Sequence, residues 1–529
     1  MHASRLNATL ACLCENLVFD VMSDNSTNNK RIAKNTLLLY FRMFFIMIVS
    51  FYTSRIVLQT LGVDDFGIYN VVGGIIIMLG FINTSMSNTI QRFLSFAIEQ
   101  NNLNKLNSVF SVSMQMQIYV SLIIILLGET IGLWFFYHQI NIPSNRVNAA
   151  FWVYQLSIVQ TVVLILSVPY NALIIAYERM SAFAYISIFE VIAKLLIVYL
   201  LLMLNFDKLI LYAILMFIIQ LFIRLIYTFY CNNYFKHIKF KWTRNQNLQK
   251  EIFCFAGWNT LGTCSEIVQS QGLNIILNLF FGPAVNAARG VAMQLQGVVR
   301  NFSINFLLAI NPQIIKSYAS NNIDYMKQLI FSSSRLAFIL FYIVSLPVFI
   351  LADKLLALWL VQVPEYSVVF VRIILCVTIV SIIFDPLKIA INATGKVKYV
   401  QLLTSILLLS TLMVSYIVLE NNAKAYYVFY VQLIISFLIL LVYIYYLQII
   451  VGISSYSFVK EVLFRLFLIV LLTFPLPVIM NEILPDSFSK YIVILLTSLS
   501  VTMIVSFILG LSETEKLYVK NKIRMIIGK

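Results

Sequence analysis

The chain has 529 residues, of which 61% are apolar, 14% aromatic and only 11% charged. This composition excludes a set of soluble domains, in which about a quarter of the residues are charged, and predicts an all-α integral membrane protein. The formal net charge of +15 is compatible with nucleic-acid binding, so its distribution along the chain has to decide the matter.

The first segment, residues 1–34, is predicted to be a cytoplasmic tail. Residues 1–21 precede a second methionine, Met22, and contain a short apolar run that Asn7 and Glu15 interrupt. A signal peptide is therefore not predicted. Whether Met1 or Met22 is the native start is left open, and residues 1–21 are either a disordered extension or not native.

Fourteen runs of mostly apolar residues are long enough to cross the hydrocarbon core as helices, which takes about 20 residues each. They lie near 35–58, 67–91, 108–137, 149–176, 182–204, 208–231, 251–281, 284–311, 327–351, 367–393, 398–419, 424–449, 460–482 and 488–511. Spans 1–6 occupy residues 35–231 and spans 7–12 occupy 251–449, with a basic linker at 232–250 between them. Spans 13 and 14 lie in 450–511, before a basic tail at 512–529.

The basic residues test this span count, because Lys and Arg collect in cytoplasmic loops. With the N-terminus inside, 22 of the 37 lie in the tails and even-numbered loops or at their edges, against six on the other side. Those six are Arg146, Lys208, Arg289, Lys354, Lys424 and Lys490. Both termini and the linker around His237 are therefore predicted to be cytoplasmic, and the loop around Asn141 external. The linker is not interpreted as a nucleic-acid site.

Two constant offsets indicate an internal repeat. At an offset of 220, residues 62–70 correspond to 282–290, and Asn101-Asn102 to Asn321-Asn322; at an offset of 217, Pro169, Ala176 and Arg179 correspond to Pro386, Ala393 and Lys396. Spans 1–6 then match spans 7–12. Because six is even, both halves have the same orientation. We predict two six-helix lobes as parallel-topology repeats, with two additional C-terminal helices and a substrate path between the lobes.

Span 8 is polar on one side. At 100° per residue, residues 288–306 form an apolar face and a polar arc of about 200°. The apolar face contains Val291, Ala292, Leu295, Val298, Val299, Phe302 and Phe306, and the polar arc contains Arg289, Gly290, Gln294, Gln296, Gly297, Arg300, Asn301, Ser303 and Asn305. Spans 1, 2 and 7 are polar as well. The polar sides are expected to line a cavity.

Three motifs resemble a known family. They are LGVDDFGIYNVVGG at 61–74, SNTIQRFLSFA at 87–97 and PYNALIIAYERM at 169–180. From about residue 30 onward the chain resembles the polysaccharide flippases of the multidrug/oligosaccharidyl-lipid/polysaccharide exporter superfamily. The resemblance implies two lobes around a cavity that opens to one side at a time. It also implies a bacterial inner-membrane protein that moves undecaprenyl-diphosphate-linked oligosaccharide to the outer leaflet for O-antigen or capsule synthesis.

Ionisable and amide side chains inside the spans are candidates for contacts with such a cargo. Arginine can bind phosphate in a bidentate manner, and amides can bind sugar hydroxyls. The cavity candidates are Arg42, Arg55, Asn83, Asn88, Asn259, Glu266, Gln269, Asn274, Gln296, Arg300, Asn301 and Arg372. For Arg300 two interpretations stay open, a phosphate contact and an ion pair with Glu266. Glu190 and Lys194, four residues apart, are predicted to pair within span 5.

Two prolines are hinge candidates. Pro169 in span 4 and Pro386 in span 10 each remove a backbone donor, and Asp385-Pro386 with Lys388 is expected to form a helix break. A hinge for alternating access and a static packing kink both stay open.

No catalytic or metal-binding residues are predicted. The Cys and His residues lack metal-ligand spacing, and the Gly395-Lys396 pair lacks the other residues of a phosphate loop. We expect a monomer that contacts membrane lipid, its lipid-linked cargo and polysaccharide polymerases, without nucleic acid or a cofactor; H⁺ or Na⁺ as coupling ion is left open. The alternatives are a drug or cation antiporter of the same fold, and a membrane glycosyltransferase or polymerase using Asp64-Asp65.

Overall fold

The computed structural model describes residues 31–516, except 33, 51, 54–55, 58, 63–64, 66–67, 70–80, 139–142, 204–205, 244, 361–362 and 514. Within these residues the secondary structure is helical, without a strand. We number the membrane helices α1 (34–50), α2 (Phe81–Glu99), α3 (Leu103–His138), α4 (Val147–Ala176), α5 (Met180–Met203), α6 (Lys208–Tyr234), α7 (Gln246–Phe281), α8 (Pro283–Ala319), α9 (Ile323–Ile350), α10 (Ser367–Thr394), α11 (Lys398–Glu420), α12 (Tyr427–Val451), α13 (Ser455–Ile483) and α14 (Phe488–Gly510). A short helix, Ala352–Trp359, precedes α10.

These helices match the fourteen predicted spans one to one, so the predicted fold class is confirmed. In the described part of the chain, ten of them are long and apolar enough to cross a membrane. Helices α7 and α8 have 36 and 37 residues but are too polar to be among the ten. They are two of the spans that the sequence predicts to be polar.

Several helices begin before the predicted apolar runs because asparagine caps them. Asn102, Asn245 and Asn322 each accept a hydrogen bond from a backbone N–H of the first turn. Such caps satisfy amides that would otherwise lack partners, and polar first turns can then form outside the hydrocarbon core. Hydropathy alone does not register these turns, which explains the shorter predicted spans.

The helices pack as two lobes with the same internal pattern. In the N-lobe, α1–α6, helix α4 packs against α2, α3 and α6, and α5 packs against α6. In the C-lobe, α7–α12, helix α10 packs against α8, α9 and α12, and α11 packs against α12. Helix α14 packs on α9 and α13, outside this pattern. The main core of the C-lobe is one cluster, and the main core of the N-lobe is a second cluster that also includes residues of α7 and α8, such as Ile252 and Ala309.

The repeat is visible in the backbone. Gly62 and Gly282, 220 residues apart, have φ of 78° and 77°, and Asn101 and Asn321 have φ of 50° and 59°. Non-glycine residues rarely adopt positive φ, so its recurrence at equivalent positions is strong evidence for equivalent turns. The following residues, Asn102 and Asn322, cap α3 and α9 in the same way.

The proline helices are not broken. Pro169 lies inside α4 and Pro386 inside α10, and both helices continue through them as α-helix. The expected break at Asp385-Pro386 is therefore wrong for this conformation. Proline lacks only one backbone donor, and a long helix held by neighbours on several sides can continue past that loss.

Candidate functional site

The face of α8 that was predicted to be apolar packs against protein, since none of its seven side chains is exposed. The polar arc divides into two parts. Gly290, Gln294 and Asn301 form an exposed stripe along the helix, interrupted by the exposed Met293 and Ile304, whereas Ser303 and Asn305 are buried. Small and amide residues in an exposed stripe are unsuited to lipid, so this stripe is the part of α8 that fits a polar cavity wall.

Several of the cavity candidates form hydrogen bonds with other helices of the C-lobe rather than facing a cavity. Their contacts are Gln401 Nε2 to Asn259 Oδ1 at 3.0 Å, Gln269 Nε2 to Thr411 Oγ1 at 3.2 Å, Gln296 Nε2 to Thr378 Oγ1 at 3.0 Å, and Arg372 Nε to the Phe349 carbonyl at 3.1 Å. Each bond joins two helices of one lobe. Polar side chains often hold membrane helices together in this way.

Arg289 is buried rather than exposed in an external loop. It is 5% exposed and reaches from α8 to α7, where Nη2 donates to the carbonyl and hydroxyl oxygens of Ser270 at 3.0 and 3.1 Å. Its Nη1 bonds to Asn274, another cavity candidate. The interpretation of Arg289 as a loop cation was wrong, because α8 begins at Pro283 and the arginine lies two turns inside it.

The C-lobe holds two ion pairs between its spans, which we call the C-lobe pairs. Arg300 of α8 lies 3.5 Å from Asp385 of α10, and Lys388 of α10 lies 2.9 Å from Glu266 of α7. The suggested pairing of Arg300 with Glu266 is therefore wrong in this structure. Asp385 and Lys388 lie one turn apart on α10. Asp385 pairs with Arg300, and Lys388 pairs with Glu266. The four formal charges cancel.

The N-lobe holds a different group, the N-lobe cations, which are Arg42 on α1, Lys194 on α5 and Arg224 on α6. Arg42 stacks over the Phe183 ring at 4.4 Å, and Arg224 stacks over the Tyr170 ring at 4.3 Å. Lys194 pairs with Glu190 at 2.6 Å, which confirms the predicted intrahelical pair. Of the three N-lobe cations, only Lys194 has an ion-pair partner among the described residues.

Both arginines among the N-lobe cations have a nitrogen without a hydrogen-bond partner in the described part of the chain. Nε of Arg42 and Nη1 of Arg224 are buried and have no hydrogen-bond partner among the described residues, and the same holds for Nε of Arg289 and of Arg300 in the C-lobe. A buried charged donor without an acceptor is costly, so such groups are expected to have a ligand in another state. The sequence interpretation included Arg42 but missed Arg224. Its signal was an ionisable residue in the middle of an apolar span.

The remaining candidates are only partly placed. Asn88 and Asn301 are exposed, on the second helix of each lobe. Arg55 and the external-loop residue Asn141 lie outside the described residues. Asn83 lies within α2, but its side chain is not among those described.

The lobes contact each other near one end of the molecule, which we call the linker face because it carries the 235–245 linker. Glu178, in the α4–α5 turn, has a fully buried carboxylate that binds Arg31 at 2.8 Å, Lys316 at 2.5 Å and Gln313 at 2.7 Å. Lys316 and Gln313 belong to α8 of the other lobe. This is the first half of a latch between the lobes.

The second half of the latch is the repeat equivalent of the first. Arg92 of α2 donates to the Ala393 carbonyl at 3.1 and 3.3 Å, next to the α10–α11 turn. Gly395 in that turn has φ of 80°, and a Cβ there would lie 2.6 Å from an Arg92 nitrogen. Glu178, 217 residues earlier, also has positive φ, 57°. Each lobe thus uses the same turn to hold the second helix of the other.

The opposite face carries separate ion-pair clamps. Arg146 binds Asp65 and also Asp207, at 2.5 Å for the latter. Asp65, one of the two aspartates of the enzyme alternative, is 7% exposed and is thereby neutralised, while Asp64 lies outside the described residues. In the described part of the chain, no group of three or more His, Cys, Asp or Glu could hold a metal ion.

Solved structures share this architecture. A crystal structure of MATE in the straight conformation superposes with a TM-score of 0.68 at 13% identity, and an outward-facing multidrug resistance MATE family transporter of the MOP superfamily with 0.67 at 13%. A MOP superfamily transporter from Pyrococcus furiosus, for which a reverse polarity of the binding pocket suggests a different function, gives 0.65 at 13%. Each comparison covers 80% of this chain and 96% of the other. No family model and no curated protein matches the chain. The chain has the fold of the MATE transporters.

Proposed function

We propose that the protein is a transporter that moves a diphosphate-linked oligosaccharide lipid across the bacterial inner membrane by alternating access. The single observation that carries this proposal is the pair of buried guanidinium donors on Arg42 and Arg224 that have no acceptor among the described residues. Guanidinium groups bind phosphate with charge-assisted, bidentate hydrogen bonds. Undecaprenyl diphosphate is the carrier that the sequence resemblance suggests.

The proposed mechanism places the diphosphate at the N-lobe cations and the sugars along the exposed stripe of α8. Amide side chains such as Gln294 and Asn301 can exchange hydrogen bonds with sugar hydroxyls and discriminate little between sugars. The prenyl chain remains in lipid while the polar part crosses between the lobes. Opening of the linker face requires both halves of the latch to separate, which exposes Glu178 and Arg92.

The proposed orientation puts the linker face in the cytoplasm, because most Lys and Arg residues collect there. The structure in hand is then closed toward the cytoplasm. Single cysteines at His237, in intact cells, should resist an impermeant maleimide and react after permeabilisation. Labelling of that position in intact cells would reverse the orientation.

The test of function is where the lipid-linked glycan accumulates. In cells without the protein, the lipid-linked glycan should still be made but should stay in the inner leaflet, protected from an external glycosidase. In proteoliposomes, the purified protein should make the lipid-linked glycan of the inner leaflet accessible to an external glycosidase. Failure of cells without the protein to synthesise the lipid-linked glycan would instead assign the chain to the enzyme class.

A cation or drug antiporter is the second candidate, and one observation favours it. The Glu266 side chain is 52% exposed, so a cation can reach it although Lys388 pairs with it. Glu266→Gln should abolish drug or cation export in that case. For the flippase we expect only a partial loss, because the variant leaves Lys388 unpaired while the phosphate contacts lie in the other lobe.

A further inference from the structure

A cavity lies on the linker face, beside the Arg92 half of the latch and away from the central path. Its volume is about 420 Å³. It is lined by Arg92 and Phe93 of α2, by Asn247, Lys250, Glu251, Cys254, Phe255 and Trp258 of α7, and by Gly395, Lys396, Val397 and Lys398 at the α10–α11 turn. We call it the seam pocket, because both lobes contribute to it.

The seam pocket is strongly cationic. Four basic side chains line it against a single acid, Glu251. Among the ion pairs of the described residues, none involves Lys250, Lys396 or Lys398. All three lysines are exposed, so an anion can reach them without breaking an ion pair. Phosphate esters are the anions that such lysine and arginine clusters bind.

The surroundings of the pocket suit a lipid headgroup rather than a soluble anion. Lys398 lies over the Trp258 ring at 5.6 Å, and Trp and Lys are typical of the membrane–water interface. About one turn deeper along the same two helices, Leu261 is 40% and Leu402 is 41% exposed. These apolar side chains provide a surface for acyl chains directly below the cationic lining.

We propose that the seam pocket binds the phosphate-ester headgroup of an anionic phospholipid of the inner leaflet, and that the bound lipid stabilises the closed linker face. The pocket is complete only while α2 lies against α7 and the α10–α11 turn. A ligand that binds only the closed arrangement shifts the population toward it. This inference depends on the proposed orientation but not on the identity of the cargo.

The natural cysteine Cys254 can report occupancy, because it lines the pocket and is exposed. We would replace Cys12, Cys14, Cys264 and Cys376 by serine in the full chain and retain Cys231, which is buried. The rate of Cys254 alkylation by a neutral maleimide is then measured in nanodiscs of phosphatidylcholine, with and without phosphatidylglycerol. A site that is about 90% occupied slows the reaction about tenfold, since only the free fraction reacts.

Matched variants separate binding at the pocket from general surface charge. The seam variant Lys250→Gln, Lys396→Gln, Lys398→Gln should lose the protection by phosphatidylglycerol. A linker variant with the same change in charge, Lys236→Gln, Lys239→Gln, Lys241→Gln, should keep it. Lys396→Gln alone should lose part of the protection. This single variant tests the same site if the triple seam variant does not fold. A cysteine at the exposed position Asn104 corrects for the effect of phosphatidylglycerol on the surface potential.

Three results would overturn the proposal. The first is equal Cys254 rates with and without phosphatidylglycerol. The second is protection that survives in the folded seam variant or is lost in the linker variant. The third is equal protection by inorganic phosphate or glycerol phosphate in phosphatidylcholine nanodiscs, which would make the ligand a soluble phosphate rather than a lipid. None of these measurements uses transport, so a failure here leaves the proposed function to its own test.

Discussion

The two lobes have the same backbone plan but opposite electrostatic designs. In the C-lobe, Arg300 and Lys388 are balanced by Asp385 and Glu266. In the N-lobe, three cations face one acid, Glu190, which pairs with Lys194. At the repeat offset of 217 residues, Val168 and Asn171 of α4 stand where α10 has Asp385 and Lys388. Arg42 and Arg224, in the lobe that lacks these acids, take part in no ion pair among the described residues.

This difference shows which parts of a duplicated fold are constrained by backbone conformation. The turn residues Gly62 and Gly282, and Asn101 and Asn321, keep the same φ because the helix connections require it. Charges inside the spans carry no such backbone constraint and can diverge. One lobe can then bind an anion through arginines without ion pairs while the C-lobe pairs of the other lobe cancel, and the predictions below test that asymmetry.

The largest effect is expected from the N-lobe cations. Arg42→Gln and Arg224→Gln each remove a charged donor from the proposed phosphate site, which should slow translocation about 10- to 100-fold. Lysine at either position keeps the charge but loses the planar fork, so it should restore activity only in part. The measurement is the rate of lipid-linked glycan translocation in proteoliposomes.

The matched control for these variants is Arg372→Gln. Arg372 is also a partly buried arginine inside a span, but its Nε bonds to a carbonyl of its own lobe. It should keep most of the parent rate. If Arg372→Gln is as slow as Arg42→Gln, or if both N-lobe variants are fully active, the asymmetry between the lobes has no role in transport.

The next effect concerns the latch, which both lobes build from equivalent turns. Glu178→Gln removes the charged acceptor for Lys316, and Arg92→Gln removes the charged donor to Ala393. Either change should favour opening of the linker face about tenfold, as expected for one charge-assisted hydrogen bond. Alkylation of a cysteine at Ser85, which is 1% exposed and contacts Thr260 across the lobes, should accelerate by that factor.

Lys105→Gln is the control for the latch, since Lys105 is exposed on the same face and bonds only within the N-lobe. It should leave the Ser85→Cys rate unchanged. Equal acceleration in the control, or none in both latch variants, would show that these contacts do not hold the lobes together.

A comparable effect is expected from the C-lobe pairs. Arg300→Gln leaves Asp385 without its partner and should slow translocation about tenfold. The double variant Arg300→Gln, Asp385→Asn removes both charges and should recover to near the parent rate. If the double variant inserts normally but remains slow, Arg300 contacts the cargo itself, and the two lobes are functionally more alike than their charges indicate.

The sequence was sufficient for the fold but not for the site. Span number, the repeat and the polar side of α8 follow from hydropathy and helical period, which are local properties. The periodicity gives the direction of Gln269 or Asn259 on its own helix but not the neighbour that meets it. Thr411 and Gln401 of α11 meet them inside the lobe, so both amides hold helices together. Likewise, the choice of Asp385 over Glu266 by Arg300 depends on the rotation of α10.

The smallest effect concerns the clamps on the opposite face, which also differ in charge. In the N-lobe one cation, Arg146, joins two acids; next to α14 one acid, Asp486, binds Lys490 at 2.8 Å and Lys354 at 3.3 Å. The hydrogen bond from Lys490, followed by that from Lys354, lowers the pKa of Asp486 below its ordinary value of 3.8. A lowered pKa in the folded state means that the clamp stabilises the protein above that value and is lost as the pH falls through the lowered one.

Asp486→Asn should therefore reduce the melting temperature slightly at pH 7, and the difference from the parent should vanish as the pH falls below 3.8. The reduction should be small because water screens an exposed pair. Asp65→Asn should cost more at pH 7, about 1–3 kcal/mol, because that carboxylate is buried against Arg146. Thermal unfolding in detergent across this pH range measures both. A loss for Asp486→Asn that equals the loss for Asp65→Asn, or that persists in acid, would show that burial does not distinguish the two clamps.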